Sequence, residues 1–451
     1  MVKLNNTTDT IVAQATAPGR GGIAIVRLSG PHVPFLMTRM LGEALAPRDA
    51  VHTAFRDSQG NVLDEGIAIF FPNPHSFTGE DVLELHCHGS PYVITALLET
   101  LIQQGARLAR PGEFSERAFL NGKIDLAQAE AIADLIDASS MQAARLALRS
   151  LQGDFSKAIT ALTEKVIYLR MYIEAAIDFT DEEIDFLSDA MLQQQLAATL
   201  QLLCEIQSNA EQGSLLREGF TAVIVGEPNV GKSSLLNRLS GKDLAIVTPI
   251  PGTTRDVLRD YILLDNIPMH IIDTAGLRDS EDVVEQEGIR RAYAEIEKAD
   301  MILCVTTDDM FDAARLHVLQ TMAKKPVIYI RNKIDLTKTA PCLEKTDSTT
   351  RIHLSAKTGA GIDLLKSEIK AVIGYQQQSE GIFLARQRHL DALASAQLHL
   401  QAAQHQLDTY RSGELAAEEL RLAQQALNEI TGEFTTDDLL GRIFSNFCIG
   451  K

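Results

Sequence analysis

The chain has 451 residues, 45% of them hydrophobic, and a formal net charge of −18. That length predicts about three domains with cores of their own, and so acidic a balance argues against broad, nonspecific nucleic-acid binding. The five cysteines, Cys87, Cys204, Cys304, Cys342 and Cys448, are scattered and odd in number, which points to reduced thiols in a cytosol. No apolar signal core opens the chain, and no run reaches the roughly 18 apolar residues of a membrane span, so a cytoplasmic protein without membrane contact is expected.

Residues 1–120 mix alternating strands, at Ile23–Leu28, Gly66–Phe71 and Val82–His86, with a helical stretch near Tyr92–Gln103, and predict an α+β domain. Gly19-Arg20-Gly21-Gly22-Ile23-Ala24 fits the dinucleotide pattern Gly-x-Gly-x-x-Ala. A strand-like run follows it and none precedes it, so it reads as a glycine loop shaping a small-molecule or dimer contact. His86-Cys87-His88 reads as strand end and turn, because no second cluster completes a zinc site. Residues 121–213 are rich in Ala, Leu, Gln and Glu, with Ile132, Leu135 and Ile136 as the expected apolar stripe. The acidic stretch Asp178, Asp181, Glu182, Glu183 and Asp185 reads as a solvated turn.

The helical texture returns over residues 377–451. Leu393, Leu400 and Leu407 fall seven apart, and Ala416, Leu420, Ala423, Leu427 and Ile430 alternate steps of four and three. Each helical part needs an apolar face to cover its own, and packing the two together in one bundle is the simplest solution. Residues 214–376 then form an insertion, with joints expected near Gly213 and near Gly374–Gly381. The expected fold class is multidomain α/β: an N-terminal α+β domain, a discontinuous α-helical bundle, and an inserted Ras-like, doubly wound P-loop domain.

Within the insertion, Ala222-Val223-Ile224-Val225 runs into Gly226-Glu227-Pro228-Asn229-Val230-Gly231-Lys232-Ser233-Ser234 and a helix-like continuation. This is a phosphate-binding loop in its strand-to-helix setting. Glycines let backbone N–H groups face the phosphates, Lys232 neutralises their charge, and the Ser233 hydroxyl can ligate magnesium. Asp273-Thr274-Ala275-Gly276 follows the strand-like Met269–Ile272 and sets a carboxylate beside the magnesium and a glycine N–H where a γ-phosphate is sensed. Asn332-Lys333-Ile334-Asp335 closes a further strand at Val327–Ile330. Asp335 can accept from guanine N1–H and the exocyclic amine, a pairing adenine cannot offer, and Ser355-Ala356-Lys357 fits a loop against the guanine edge.

Thr248-Pro249-Ile250-Pro251-Gly252-Thr253-Thr254-Arg255-Asp256, the C-terminal Asn446–Lys451, Gly19–Ala24 and the stretch Arg110–Phe119 together resemble the MnmE (TrmE) family of tRNA-modification GTPases, end to end. The resemblance implies an N-terminal domain that dimerises and binds a one-carbon tetrahydrofolate, in the 5-formyl or 5,10-methylene form. Folate contacts fall at Arg27, Glu84, Lys123 and Lys451, with Cys448 in that pocket region. It also implies a flavoprotein partner, MnmG (GidA), which brings FAD into a heterotetramer or larger assembly. The pair would add an aminomethyl or carboxymethylaminomethyl group at C5 of the wobble uridine, with tRNA held largely through the partner.

A Ras-type enzyme places a water-orienting Gln directly after Asp-x-x-Gly; here Leu277 stands there, so another source of positive charge is needed. The resemblance implies a potassium ion held by Asn229, Thr248, Ile250 and Thr253, magnesium on Ser233 and Thr254, and catalytic roles for Glu285, Cys448, Arg255 and Asp256. The rival expectation is a regulatory ribosome-assembly GTPase without one-carbon chemistry, against which the lack of a basic KH-like appendage counts. Cys448-Ile449-Gly450-Lys451 fits a prenylation box poorly, since Gly and Lys occupy its last two positions.

Overall fold

A computed structural model of the chain describes residues 9–178, 190–240, 261–273, 299–307, 325–346, 349–376 and 381–433, together with 441, 443–444, 447 and 450. Two compact units emerge, one comprising residues 1–133, 150–199 and 395–451, the other 134–149 and 200–394.

In the first unit, β1 (Thr10–Gln14), β2 (Gly21–Ser29), β3 (Val51–Arg56), β4 (Val62–Phe71), β5 (Val82–Gly89) and β6 (Ala106–Leu108) form one sheet in the order β3-β4-β5-β2-β1-β6. Only β6 runs parallel to its neighbour, β1. α1 (Val33–Leu41) and α2 (Pro91–Gln103) supply Leu36, Met40, Leu97 and Leu101 to a core shared with Val26, Leu28, Leu83 and Leu85. β1 corrects the reading of the glycine loop: a strand does precede it, and β1 and β2 pair antiparallel around it. A strand and not a helix follows, so no dinucleotide fingerprint forms.

The motif at Arg110–Phe119 leads into α3 (Glu113–Leu120), and its charges are structural. Arg117, 2% exposed, bonds to Asp9, Glu80 and Glu113, while Arg107 joins Asp9 and Glu113. Burial alone would raise the Glu113 carboxyl, but hydrogen bonds from Arg107, the Arg110 N–H and Arg117 outweigh it and hold Glu113 below the ordinary carboxylate value.

The helices that follow are α4 (Leu126–Ile136), α5 (Met141–Leu151), α6 (Asp154–Asp178) and α7 (Ala190–Glu218). In α4 the expected stripe is covered only in part: Ile132 and Leu135 are half-buried, Leu135 packing on the core of the nucleotide sheet, while Ile136 is exposed and the fully buried positions are Leu126, Ala127, Ala129, Glu130 and Ala131. Leu126 and Ala129 face Phe444 and Phe447 of the C-terminal segment, and alanines admit that approach where isoleucines would not. Beyond the insertion come α11 (Gln387–His405), a π-helical turn at Gln406–Tyr410, and α12 (Gly413–Thr431); the intervening α8, α9 and α10 belong to the insertion and are defined below. All five residues of the α12 stripe, Ala416, Leu420, Ala423, Leu427 and Ile430, are fully buried, and each large one contributes roughly 1.5–3 kcal/mol. α12 packs on α6, where Arg170 donates to Gln424 Oε1 at 2.6 Å. The two parts of the bundle thus do cover one another.

In the second unit, β7 (Phe220–Val225), β8 (Tyr261–Leu264), β9 (Ile267–Asp273), β10 (Met301–Thr306), β11 (Val327–Arg331), β12 (Cys342–Lys345) and β13 (Thr350–His353) form a sheet in the order β12-β13-β11-β10-β7-β9-β8. The five central strands are parallel and the two edge strands antiparallel. α8 (Lys232–Leu239), α9 (Ile334–Thr337) and α10 (Ile362–Val372) complete its described helices. Gly213 is not the joint expected. It lies inside α7, which runs on to Glu218, and a Cβ there would sit 1.6 Å from the Phe383 carbonyl oxygen. Among the described residues, no helix is long and apolar enough to cross a membrane.

Candidate nucleotide site

β7 has β9 on one side and β10 on the other, so the loop leaving its C-terminal end opens at the switch point of the sheet, where ligands of doubly wound folds bind. That loop is Gly226–Gly231, and α8 starts at Lys232. Gly231 takes φ +99°, and a Cβ on it would stand 2.4 Å from Asn332 Nδ2; only glycine meets both demands. Lys232 Nζ donates to the carbonyls of Gly226 and Glu227 at 2.8 and 3.0 Å. The ammonium therefore lies over the loop, where phosphate oxygens are the stronger acceptors. Val230 is buried, while Asn229, Ser233 and Ser234 are exposed along the loop and the first turn of α8. Asp273 is the last residue of β9, in register with Ile224 of β7.

The segment after β11 is tied to that loop. Asn332, 2% exposed, donates through Nδ2 to the Val230 carbonyl at 2.8 Å and accepts at Oδ1 from the Ala356 N–H at 2.9 Å. One amide thus braces the phosphate loop and the Ser355-Ala356-Lys357 loop at once. Lys333 Nζ reaches the Asn229 carbonyl at 2.7 Å, and Ile334 is buried at the start of α9. Ser355 Oγ donates to Asp335 Oδ1 at 2.6 Å, which fixes the carboxylate's orientation and leaves its remaining acceptor positions for a ligand. Sequence reasoning missed Arg238. From α8 it donates to the carbonyls of Ala356 and Lys357 at 3.2 and 2.7 Å, clamping the third loop from below, and no local pattern announces so long-range a contact. The arrangement can cradle a triphosphate at one end and read the hydrogen-bond edge of a flat base at the other.

A family description, "MnmE helical domain", matches residues 126–448, and another, "GTP-binding protein TrmE N-terminus", matches residues 10–123. The chain is similar to the tRNA modification GTPase MnmE of Hydrogenovibrio crunogenus, at 57% identity over 99% of both chains. The protein of that name from Vibrio cholerae is 56% identical, over 99% of this chain and 100% of that one. This chain belongs to the MnmE (TrmE) family of tRNA modification GTPases. Among solved structures, the G domain of the T. maritima FeoB iron transporter is matched over 98% of its own length and 34% of this chain, at 25% identity and a TM-score of 0.26. The fold stands on the sheet order above and not on that likeness.

Other residues that membership of the MnmE family brings into view lie in the first unit. Arg27 and Glu84 are register partners on β2 and β5. Arg27 Nε donates to Glu84 Oε1 at 2.8 Å, and its guanidinium stands 5.8 Å from the centre of the Phe114 ring. His86 Nε2 lies 3.3 Å from the other Glu84 oxygen. Lys123 is held separately, donating to the Pro74 carbonyl at 2.9 Å. Cys87 points inward from β5, and burial pushes its thiol up to about 11, in keeping with a strand residue. Phe447 packs with Phe444, ring centres 5.4 Å apart, and the Gly450 backbone passes so close to Gln14 that a Cβ would come within 2.1 Å of its carbonyl oxygen. Gly450 thus lies against the end of β1. Thr248, Pro249, Ile250, Pro251, Gly252, Thr253, Thr254, Arg255, Asp256, Thr274, Ala275, Gly276, Leu277, Glu285, Cys448 and Lys451 lie outside the described residues.

Proposed function

We propose that this chain is the GTP-hydrolysing component of a cytoplasmic machine that modifies C5 of the wobble uridine in certain tRNAs. The observation that carries this reading is the joining of the phosphate loop to the Asn332–Asp335 segment by one buried amide, in a chain of this family from end to end. Asp335, oriented by Ser355, would select guanine, because a carboxylate facing adenine is left unpaired. Ser233 and Thr254 would hold magnesium, with Asp273 beyond them, and the ion would neutralise charge on the phosphates. Asn229, exposed on the loop, would join Thr248, Ile250 and Thr253 around potassium, which supplies positive charge near the leaving oxygen where Leu277 offers none. Glu285 would orient the water, with Arg255 and Asp256 in the same switch segment.

The folate reading is supported by Arg27 and Glu84, a paired donor and acceptor beside the Phe114 ring that suits a flat, hydrogen-bonding pterin. Lys123, Lys451 and Cys448 would complete that pocket in a homodimer. A net charge of −18 supports contact with tRNA largely through the flavoprotein partner MnmG (GidA), which would supply FAD.

The test is turnover by the purified chain with magnesium present. GTP should be hydrolysed and ATP ignored, and potassium should raise the rate far above that in sodium. With the flavoprotein and a one-carbon folate, modified wobble uridine should accumulate. Equal use of ATP overturns the guanine assignment, equal rates in the two salts overturn the Asn229 assignment, and GTP turnover without any tRNA product returns the chain to the ribosome-assembly reading.

A further inference from the structure

β12 is an edge strand of the nucleotide sheet. Its antiparallel register sets Cys342 directly opposite His353 of β13, and strand alternation puts Glu344, two residues on, on the same face. A thiol, a carboxylate and an imidazole thus converge, their ligand atoms all within 4.8 Å of one another. Cys342 Sγ is 4.0 Å from Glu344 Oε1, and His353 Nε2 is 3.7 Å from the same oxygen. Around a tetrahedral zinc with bonds of about 2.0–2.3 Å, donor atoms stand about 3.3–3.7 Å apart. Small rotations of the Glu344 and Cys342 side chains close the difference, and Glu344 is free to make them, being 54% exposed.

We propose that Cys342, Glu344 and His353 form an exchangeable site for a thiophilic divalent cation, zinc foremost, at the edge of the nucleotide sheet. The donor set decides the class of metal. Magnesium and calcium need shells of oxygen ligands, whereas thiolate and imidazole suit zinc. The neighbours sharpen that choice. Arg351 stands opposite Glu344 and Arg331 lies beside His353 in the register, so a cation held by the carboxylate alone would compete with guanidinium groups, while a thiolate bond outweighs them. The same geometry decides how firmly the metal is held. His353 Nδ1 is buried with no hydrogen-bond partner among the described residues, so the ring lacks the second acceptor that usually orients a metal-bound histidine and tightens binding by about 10- to 100-fold. Three protein donors also leave the fourth position to water. Both features make a site that loads and unloads, at a distance in sequence from Ser233, which is proposed above to hold magnesium.

Cobalt is the probe, because its charge-transfer absorption in the near ultraviolet reports thiolate ligation and is silent at an oxygen site. The full-length chain, reduced and saturated with magnesium and GDP, is titrated with cobalt. A band that saturates at one cobalt per chain, is bleached by zinc and is lost in Cys342→Ser is expected, with Cys204→Ser, a change at an exposed thiol elsewhere, retaining it. Glu344→Gln should weaken cobalt binding by about tenfold or more. No band in the parent chain, or a band that persists in Cys342→Ser, overturns the proposal. Should Cys342→Ser fail to bind GDP, Glu344→Gln decides, and unchanged cobalt affinity in that variant overturns it.

Discussion

Replacing Asn332 with alanine isolates the brace on which the nucleotide site depends. The Asn332 side chain makes two hydrogen bonds, to the Val230 carbonyl at 2.8 Å and from the Ala356 N–H at 2.9 Å, both buried. Alanine leaves each of those backbone groups without its partner, at a cost of about 1–3 kcal/mol apiece. Partial relaxation of two surface loops brings the sum to roughly 2–4 kcal/mol. The loss falls on the arrangement of the loops and not on the sheet, whose core of Ile224, Leu303, Ile330 and Leu354 is untouched. It should therefore appear as weaker nucleotide binding, by about 30- to 1,000-fold, with a smaller drop in melting temperature. Equilibrium titration of fluorescent GDP against parent and Asn332→Ala, with thermal unfolding of both, reads the two effects separately. Affinity within threefold of the parent would refute the brace.

Asp335→Asn exchanges an acceptor for a donor on the group that Ser355 orients; loss of about 3 kcal/mol of charge-assisted pairing predicts roughly 100-fold weaker GTP, with xanthine nucleotides gaining in a competition titration. Gly213→Ala places a Cβ 1.6 Å from the Phe383 carbonyl oxygen, so α7 or the returning segment must shift. A destabilisation of about 1–3 kcal/mol is expected in denaturant titration, and an unchanged midpoint would show that this close approach is loose. The Asp9 and Glu113 carboxyls are held low: burial opposes their ionisation, but bonds from Arg107 and Arg117 prevail. Groups with depressed native values contribute stability above the unfolded value, about 4, and lose it as pH falls through the native ones. Stability of the parent should thus drop as pH falls below about 4, and Glu113→Gln should flatten that drop; parallel pH profiles would assign it elsewhere.

What the sequence made legible was local or strictly periodic. The strand-loop-helix around Gly226–Ser233 and the stripe Ala416 to Ile430 each declare themselves within a few turns, and both form as read. Asn332 was legible as part of a base-reading motif, but not as a brace. Its partners lie 102 residues before it and 24 after, and no window spans both. Cys342, Glu344 and His353 were invisible for the same reason, since only the pairing of β12 with β13 brings them together. β1, three of whose five residues are apolar, passed unread because it is short. In α4, hydrophobicity alone named Ile132, Leu135 and Ile136, of which Leu135 packs on the core of the nucleotide sheet, whereas Leu126 and Ala129 join Phe444 and Phe447 through a contact that no local window shows.

Gly213 shows how one residue type supports opposite readings. Glycine at a domain boundary suggests a loose joint, yet here it serves close packing inside a helix, where a missing side chain admits the Phe383 backbone. Beside it, the Gln212 amide donates to the Gly374 carbonyl at 2.9 Å and accepts from the Gln376 N–H at 2.9 Å. Asp134 adds a third tie, accepting from Arg217 near the end of α7 and from Arg386 just before α11. A segment can be inserted into a folded host at little cost only if its two ends lie close together. These three contacts hold the outgoing and returning chain together, the nearest outgoing and returning pair in sequence, Gln212 and Gly374, being 162 residues apart.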